Sequence, residues 1–336
     1  MPNITMLDIQ RKNGAPQRDS QIVDQVAFAA PVVTQIPAAV VKGTTYSYRR
    51  RKNAPKVGAR PANAGVNVYK TDYEEKNDQC FIYNGRIEID EMVANADAEG
   101  PGAYLKDEAE SHTQGLMCSL EQGFFYGKAI APYGMTGLVD TIGDYMTISA
   151  DPDVNKTGKG AEGGASVWAI VNDAKMLRMI FGNSKAISFG PVRRGDATDK
   201  DGKEYTALKQ DIGVWVGLSQ RNEYAVARLI NVSDDTGLTD SMLAGLLECF
   251  PTGYVPSMLV MNRHARSLLQ KSRSQALVYP KMKGAGQVAY ASLPTEYEGI
   301  PIVVTDALLN DETAENITKL ATESHIYTKN TAPIKR

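Results

Sequence analysis

Side-chain catalysis needs a proton-transfer group, a nucleophile or a metal cage, and the 336-residue sequence is poor in all of them. Its histidines, His112, His264 and His325, lie far apart and in different kinds of element. His112 recurs with the apolar residues of a helix and reads as a satisfied core residue. His264 follows Arg263 in the first turn of another helix, a poor place for a general base. Gly158-Lys-Gly-Ala-Glu-Gly163 matches G-x-G-x-x-G by count. DPDVNKT precedes it and the strand VWAIV follows, so no helix N-terminus faces a pyrophosphate. Gly160 after Lys159 also breaks the P-loop pattern. Glu74–Glu75 and Asp234–Asp235 sit in polar runs and read as solvated faces. Neither G-x-S-x-G nor H-E-x-x-H occurs. No catalytic residue, cofactor or metal site is expected, and no enzyme.

Composition narrows the classes further. Hydrophobic content of 43% and charge of 23% are those of a soluble globular chain. A net charge of -2 marks neither a nucleic-acid binder nor a membrane-surface protein. Cys80, Cys118 and Cys249 are too few and scattered for a disulfide framework or a zinc site. They read as small buried hydrophobes in a reducing compartment. MPNITMLDIQRKNGAPQRD has no apolar core of a signal peptide, and Val26 to Val41 is too short and Pro-broken to cross a bilayer. The expected place of synthesis is the cytoplasm, with no membrane partner.

The pattern left over is electrostatic. Lys42, Arg49, Arg50, Arg51, Lys52, Lys56 and Arg60 come without an acid among them. Asp72, Glu74, Glu75, Asp78, Glu88, Asp90, Glu91, Asp97 and Glu99 follow, opposed only by Lys76 and Arg86. Three readings stand: a solvated hairpin with weak salt bridges, a basic finger reaching an acidic patch on a neighbouring subunit, and phosphate binding by Arg49 to Lys52.

The elements that would carry these charges are TTYSYRRR (Thr44 to Arg51) and VNVYKTDY (Val66 to Tyr73), two predicted strands. PKVGARPANAG between them supplies turn residues. Such a hairpin has almost no apolar face and is marginal alone, so it must lie against something else. Ahead of it, Met1 to Ser20 reads as a polar arm ordered by a partner. After it, Leu105, Ala109, His112, Leu116, Leu120 and Phe124 place a helix over Ala103 to Gly127. Asp107, Glu108 and Glu110 lie early enough to complement its dipole. VWAIV opens a strand, and a second follows by Ile180. Arg193 to Lys203 reads as an exposed hairpin tip. Asp211 to Val232 reads as two long strands of one antiparallel sheet. Leu238 to Glu248 is a helix with Thr239 as N-cap. Met258 to Asn262 is a strand whose Asn262 caps the next helix, and Ile300 to Thr305 is a last strand. Beyond Asn310 a polar tail is expected to fray.

This order of arm, hairpin, long helix and α/β unit resembles the major capsid proteins of tailed bacteriophages, whose shell fold is named for phage Hong Kong 97. EQGFFYGKAIAPYGMTGL resembles the end of that family's spine helix. SVWAIV, DATDKDGKEY and VWVGLSQRNEYAVARLINV resemble one phage branch. LVMNRHARSLLQ with YEGIPIVVTDALL resembles the helix and strand of its axial domain. The likeness spans Val26 to Asn310. It implies an α+β fold divided into an N-terminal arm (1–41), an extended loop (42–80), a peripheral domain (81–235) with spine helix 103–127, an axial domain (236–310) and a C-terminal tail (311–336). The family's usual order puts long strands after the axial domain. Here they precede it, so either a variant strand order or a different strand placement is expected.

The implied function is self-assembly as hexamers and pentamers into an icosahedral head shell enclosing double-stranded DNA, assembled in the bacterial cytoplasm and carried in the virion. Portal, scaffolding and cement or decoration proteins are implied partners. An encapsulin-like nanocompartment holding an enzyme cargo is the alternative. Intersubunit contacts are expected at Arg49, Arg50, Arg51, Lys52, Lys56, Arg60, Asp72, Glu74, Glu75, Glu88, Asp90 and Glu91. Some relatives crosslink Lys to Asn; no residue here identifies such a site and none is predicted.

Overall fold

The computed structural model describes residues 30–55, 57–66, 68–97, 100–151, 163–184, 187–277 and 291–321. The first half of the chain holds β1 (Ala38–Val40), β2 (Thr45–Arg51), β3 (Tyr73–Gln79), β4 (Phe81–Asp90), α1 (Glu91–Ala94), α2 (Pro101–Tyr126), α3 (Leu138–Thr141) and β5 (Thr147–Ser149). Next come β6 (Ala165–Ile170), β7 (Leu177–Phe181), β8 (Ser188–Phe189), β9 (Arg193–Thr198), β10 (Glu204–Gln220) and β11 (Val226–Val232). The remainder is α4 (Asp240–Glu248), β12 (Met258–Met261), α5 (Arg263–Leu277), β13 (Glu296–Tyr297), β14 (Ile300–Val304) and α6 (Ala314–Lys319).

Two six-stranded sheets and a separate ribbon result. One sheet runs β1-β7-β10-β4, with β8 and β9 also paired to β10; the other runs β13-β14-β12-β6-β11-β5; β2 and β3 form the ribbon. β10 alternates in the expected way, burying Ile212, Val214, Val216 and Leu218 while Gly213 and Trp215 face outward. β6, β11 and β12 are buried along their whole length, as central strands covered on both faces must be.

Helix α2 joins two hydrophobic clusters. Tyr104 and Leu105 pack with Ile87, Ile89 and Ile212, whereas Leu120, Phe124, Phe125 and Tyr126 enter the main core beside Trp168. The helix ends because Gly127 takes φ +50 and its backbone meets Gly137; a Cβ on Gly127 would stand 2.0 Å from the Gly137 nitrogen. Asp140 caps this crossing, accepting the N–H groups of Lys128 (3.0 Å) and Gly137 (2.9 Å).

Two buried polar clusters tie distant segments to the same helix. Glu121, fully buried, accepts the N–H groups of Val32 (3.2 Å) and Val33 (3.4 Å) and the Thr305 hydroxyl. Burial pushes its carboxyl up to about 7. Arg228 is paired with buried Glu312 at 2.6 Å under the Trp168 ring, while Tyr126 donates to Glu312 at 2.8 Å and Arg228 donates to Ser166 at 3.0 Å.

Several expectations change. The second ribbon strand is Tyr73–Gln79, downstream of Val66 to Tyr73; Val66 and Val68 are exposed and unpaired. Arg193 to Lys203 is mostly strand, and only the turn at its end is a tip. β10 and β11 part into different sheets at Asn222 instead of forming a hairpin. His112 is 36% exposed, with Nδ1 2.8 Å from the Glu108 carbonyl, because the middle of α2 is only half covered. Asp107, Glu108 and Glu110 fall beyond the first helical turn, where the dipole effect has faded. Residues 30–41 belong to the body: Val32 and Ile36 are buried and β1 pairs parallel with β7. The boundary at 235 cuts through one sheet, in which β5, β6 and β11 lie with β12 and β14. Residues 311–321 are held by Glu312 and by Ile317 of α6, and the rest of the tail, 322–336, lies outside the described residues. The long strands do precede β12, and no strand follows Val304 among the described residues. The arm to Ala29, the Gly-rich run 158–162 and His325 lie outside the described residues.

Candidate intersubunit surface

Register explains the charge segregation. In the ribbon Arg49 stands opposite Glu75, Arg50 opposite Glu74 and Arg51 opposite Tyr73, so a basic strand faces an acidic one within the same chain. Cross-strand opposite charges stabilise such a pair where apolar contacts are missing. Arg50 bonds Glu74 at 3.1 Å and Glu223 at 2.8 Å, and Lys76 reaches Glu74 at 3.1 Å. These contacts, Lys76 foremost, hold the Glu74 carboxyl below its ordinary range. Glu223 is lowered by a hydrogen bond from Tyr145 and by Arg50. Burial would lower Arg50, but Glu74 and Glu223 outweigh it and raise it.

The foot of the ribbon is clamped to the body by aromatic and cationic contacts. Tyr48 is buried and donates to the Gln220 carbonyl at 3.1 Å; burial, then Asp78, pushes its phenol up to about 12. The Arg221 guanidinium lies 5.9 Å from the Tyr46 ring and 5.2 Å from the Tyr48 ring, and Arg178 covers Tyr46 at 5.7 Å. The ribbon's angle is thus fixed by a clasp, and none of the described residues lies beneath the exposed loop at its far end.

Other expected contact residues are occupied internally. Glu88 pairs with Lys209 at 3.2 Å and Glu91 with Arg194 at 2.6 Å, while Asp90 caps α1 by accepting the Met92 N–H at 2.8 Å. Asp72 is tied to Asn53 at 3.2 Å, and Arg60 bonds the Ala64 carbonyl. Arg49, Arg51, Lys52 and Glu75 are exposed and form no ion pair among the described residues. Lys56 lies outside the described residues. The acidic half of the expected set is therefore largely internal support, and the free charge is basic.

Two features lay beyond sequence reading. The loop between β2 and β3 exposes Val57 (87%), Val66 (74%) and Val68 (97%), an apolar row that no described part of this chain covers. At the ribbon's foot a cleft of about 590 Å³ collects Arg49, Arg51 and Lys52 with Lys175, Arg221 and Tyr254. The last three come from three other loops, so no local pattern announces them. No described helix is long and apolar enough to cross a membrane, and no described His/Cys/Asp/Glu group could hold a metal.

Comparison with known proteins adds to this geometry. No curated protein matches the chain. A solved chain of bacteriophage Epsilon15 is similar over 94% of this chain and 98% of its own, at 18% identity and a TM-score of 0.61, which shows a shared fold. The SrpI encapsulin of Synechococcus elongatus PCC 7942 (8% identity, 66% and 94% covered, TM-score 0.47) is too distant to carry an argument. So is a chain of Mycobacterium phage Cain (11% identity, 69% and 100% covered, TM-score 0.45). The family model described as "Major capsid protein GP7" matches residues 16–316. With the α+β architecture and the outstanding ribbon, that match covers both sheets and α2, and the chain belongs to the family of the major capsid protein GP7.

Proposed function

We propose that copies of this chain assemble as hexamers and pentamers into the icosahedral head shell of a tailed phage enclosing double-stranded DNA. The observation that carries the reading is the ribbon loop: exposed Val57, Val66 and Val68 stand on an extension whose far end no described part of its own chain covers. Water-exposed apolar rows on a supported extension find cover on a partner, and closed symmetric assembly gives every copy the same partner surface. In this reading residues 42–80 are the extended loop, α2 is the spine helix beside the β1-β7-β10-β4 sheet, and α4, α5 and the second sheet form the axial unit. The role is mechanical and not enzymatic. The shell is carried in the virion after assembly in the host cytoplasm, with portal, scaffolding and decoration proteins as partners. The family match favours a genome container over an enzyme-filled compartment.

The test is a quadruple change, Arg49→Ala, Arg51→Ala, Val66→Ser and Val68→Ser, followed by sedimentation and negative-stain microscopy of the expressed chain. Arg50 is spared because it supports the ribbon through Glu74 and Glu223. The expected result is an unchanged melting temperature with loss of particles. Particles in normal yield would refute the role of the ribbon.

A further inference from the structure

The cleft at the ribbon's foot has an unbalanced charge. Arg50 and Glu223 neutralise each other at 2.8 Å on one wall. Arg49, Arg51, Lys52, Lys175 and Arg221 also line it and form no ion pair among the described residues. Glu223 is the one carboxylate in the lining among the described residues. For a chain of net charge -2 this is a local basic excess, offset in part by Asp78 acting on Arg221, and it favours an entering anion. The site is also preorganised. Arg221 is pinned against Tyr46 and Tyr48, and the Tyr224 and Tyr254 rings, also in the lining, stack 5.9 Å apart at 25°. The Arg221 side chain therefore loses little freedom when a ligand arrives.

We infer that this cleft binds a carboxylate-bearing segment of a second copy of the chain. The inference rests on the shell reading and specifies one of its contacts. A concave cleft of about 590 Å³ admits an extended peptide strand, with carboxylates against the guanidinium groups and backbone along the tyrosine wall. Duplex DNA presents its phosphates on a convex rod and does not enter. The acids come from the same polypeptide: Asp144, Asp196, Asp201 and Glu204 are exposed and form no ion pair among the described residues. A basic socket and acidic turns on identical subunits steer encounter and fix register.

Particles of the full chain, grown from an equal mixture of light and heavy nitrogen-labelled protein, are treated with a carbodiimide that joins amines to carboxylates without a spacer. The expected result is light–heavy crosslinked peptides joining Lys52 or Lys175 to an Asp or Glu. Lys52→Glu with Lys175→Glu, both exposed, is expected to lower assembly at least about tenfold with the melting temperature unchanged. Particles that form with only same-label crosslinks at these lysines would overturn the inference and leave the shell reading intact. So would cleft-dependent binding of a single-stranded oligothymidine with no such crosslinks. Failure of the wild-type chain to form any particle would remove the shell reading and this inference with it.

Discussion

Glu121 and Arg228 show how single side chains hold the extremities of this chain to its centre. Glu121 is buried between the turn at Val32–Val33 and Thr305. Burial raises its folded pKa to about 7 from an ordinary value of 4.5. A raised folded pKa favours the protonated form, so this residue's contribution to stability is fully present below about pH 4.5 and lost as pH rises through about 7. The expected signature is a melting temperature that falls across this window in the native chain more than in Glu121→Gln; parallel pH curves would contradict it. Arg228 and Glu312 make a buried pair at 2.6 Å. Arg228→Met strands a buried carboxylate and is expected to cost about 3–5 kcal/mol in denaturant unfolding. Adding Glu312→Gln is expected to return much of that loss, since Tyr126 keeps its acceptor.

At the scale of elements, the crossing of Gly127 over Gly137 ends α2 and turns the chain back. Gly127→Ala meets both a positive φ and the Gly137 nitrogen, so a loss of more than about 1 kcal/mol is expected in equilibrium unfolding. Elements with a strong period were legible. The steps from Leu105 to Phe124 gave α2, and the Thr239 and Asn262 caps stand where the sequence placed them, accepting from Met242 and Ala265. β3 was illegible because YEEKNDQ has no apolar alternation; its identity as a strand is set by the basic partner across the ladder. Val66 and Val68 alternate like a strand yet pair with no described residue, since local pattern cannot say whether a partner exists within the chain. The separation of β10 from β11 turns on Asn222, whose side chain caps a single 3₁₀ turn by accepting the Tyr224 N–H at 3.0 Å. Nothing in the strand residues themselves marks that break.

The whole molecule has its two sheets and α2 tied together by buried contacts, and a ribbon that leaves them. The charge segregation of the ribbon is half internal: Glu74, Glu88, Asp90 and Glu91 serve their own chain, and Arg49, Arg51 and Lys52 form no ion pair among the described residues. The cleft was illegible because its walls come from segments far apart in sequence. An extension that depends on neighbours should differ between free and assembled states. Trypsin is expected to cut after exposed Lys70 quickly in dissociated subunits and slowly in particles; equal rates would count against coverage of the loop. The most direct measurement is a cryo-electron microscopic reconstruction of particles formed by the full chain, at a resolution that traces side chains. The expected result is a closed shell in which Val57, Val66 and Val68 of each copy are buried against another copy. A shell whose ribbon loops project freely into solvent, or a chain that stays monomeric at high concentration, would contradict it.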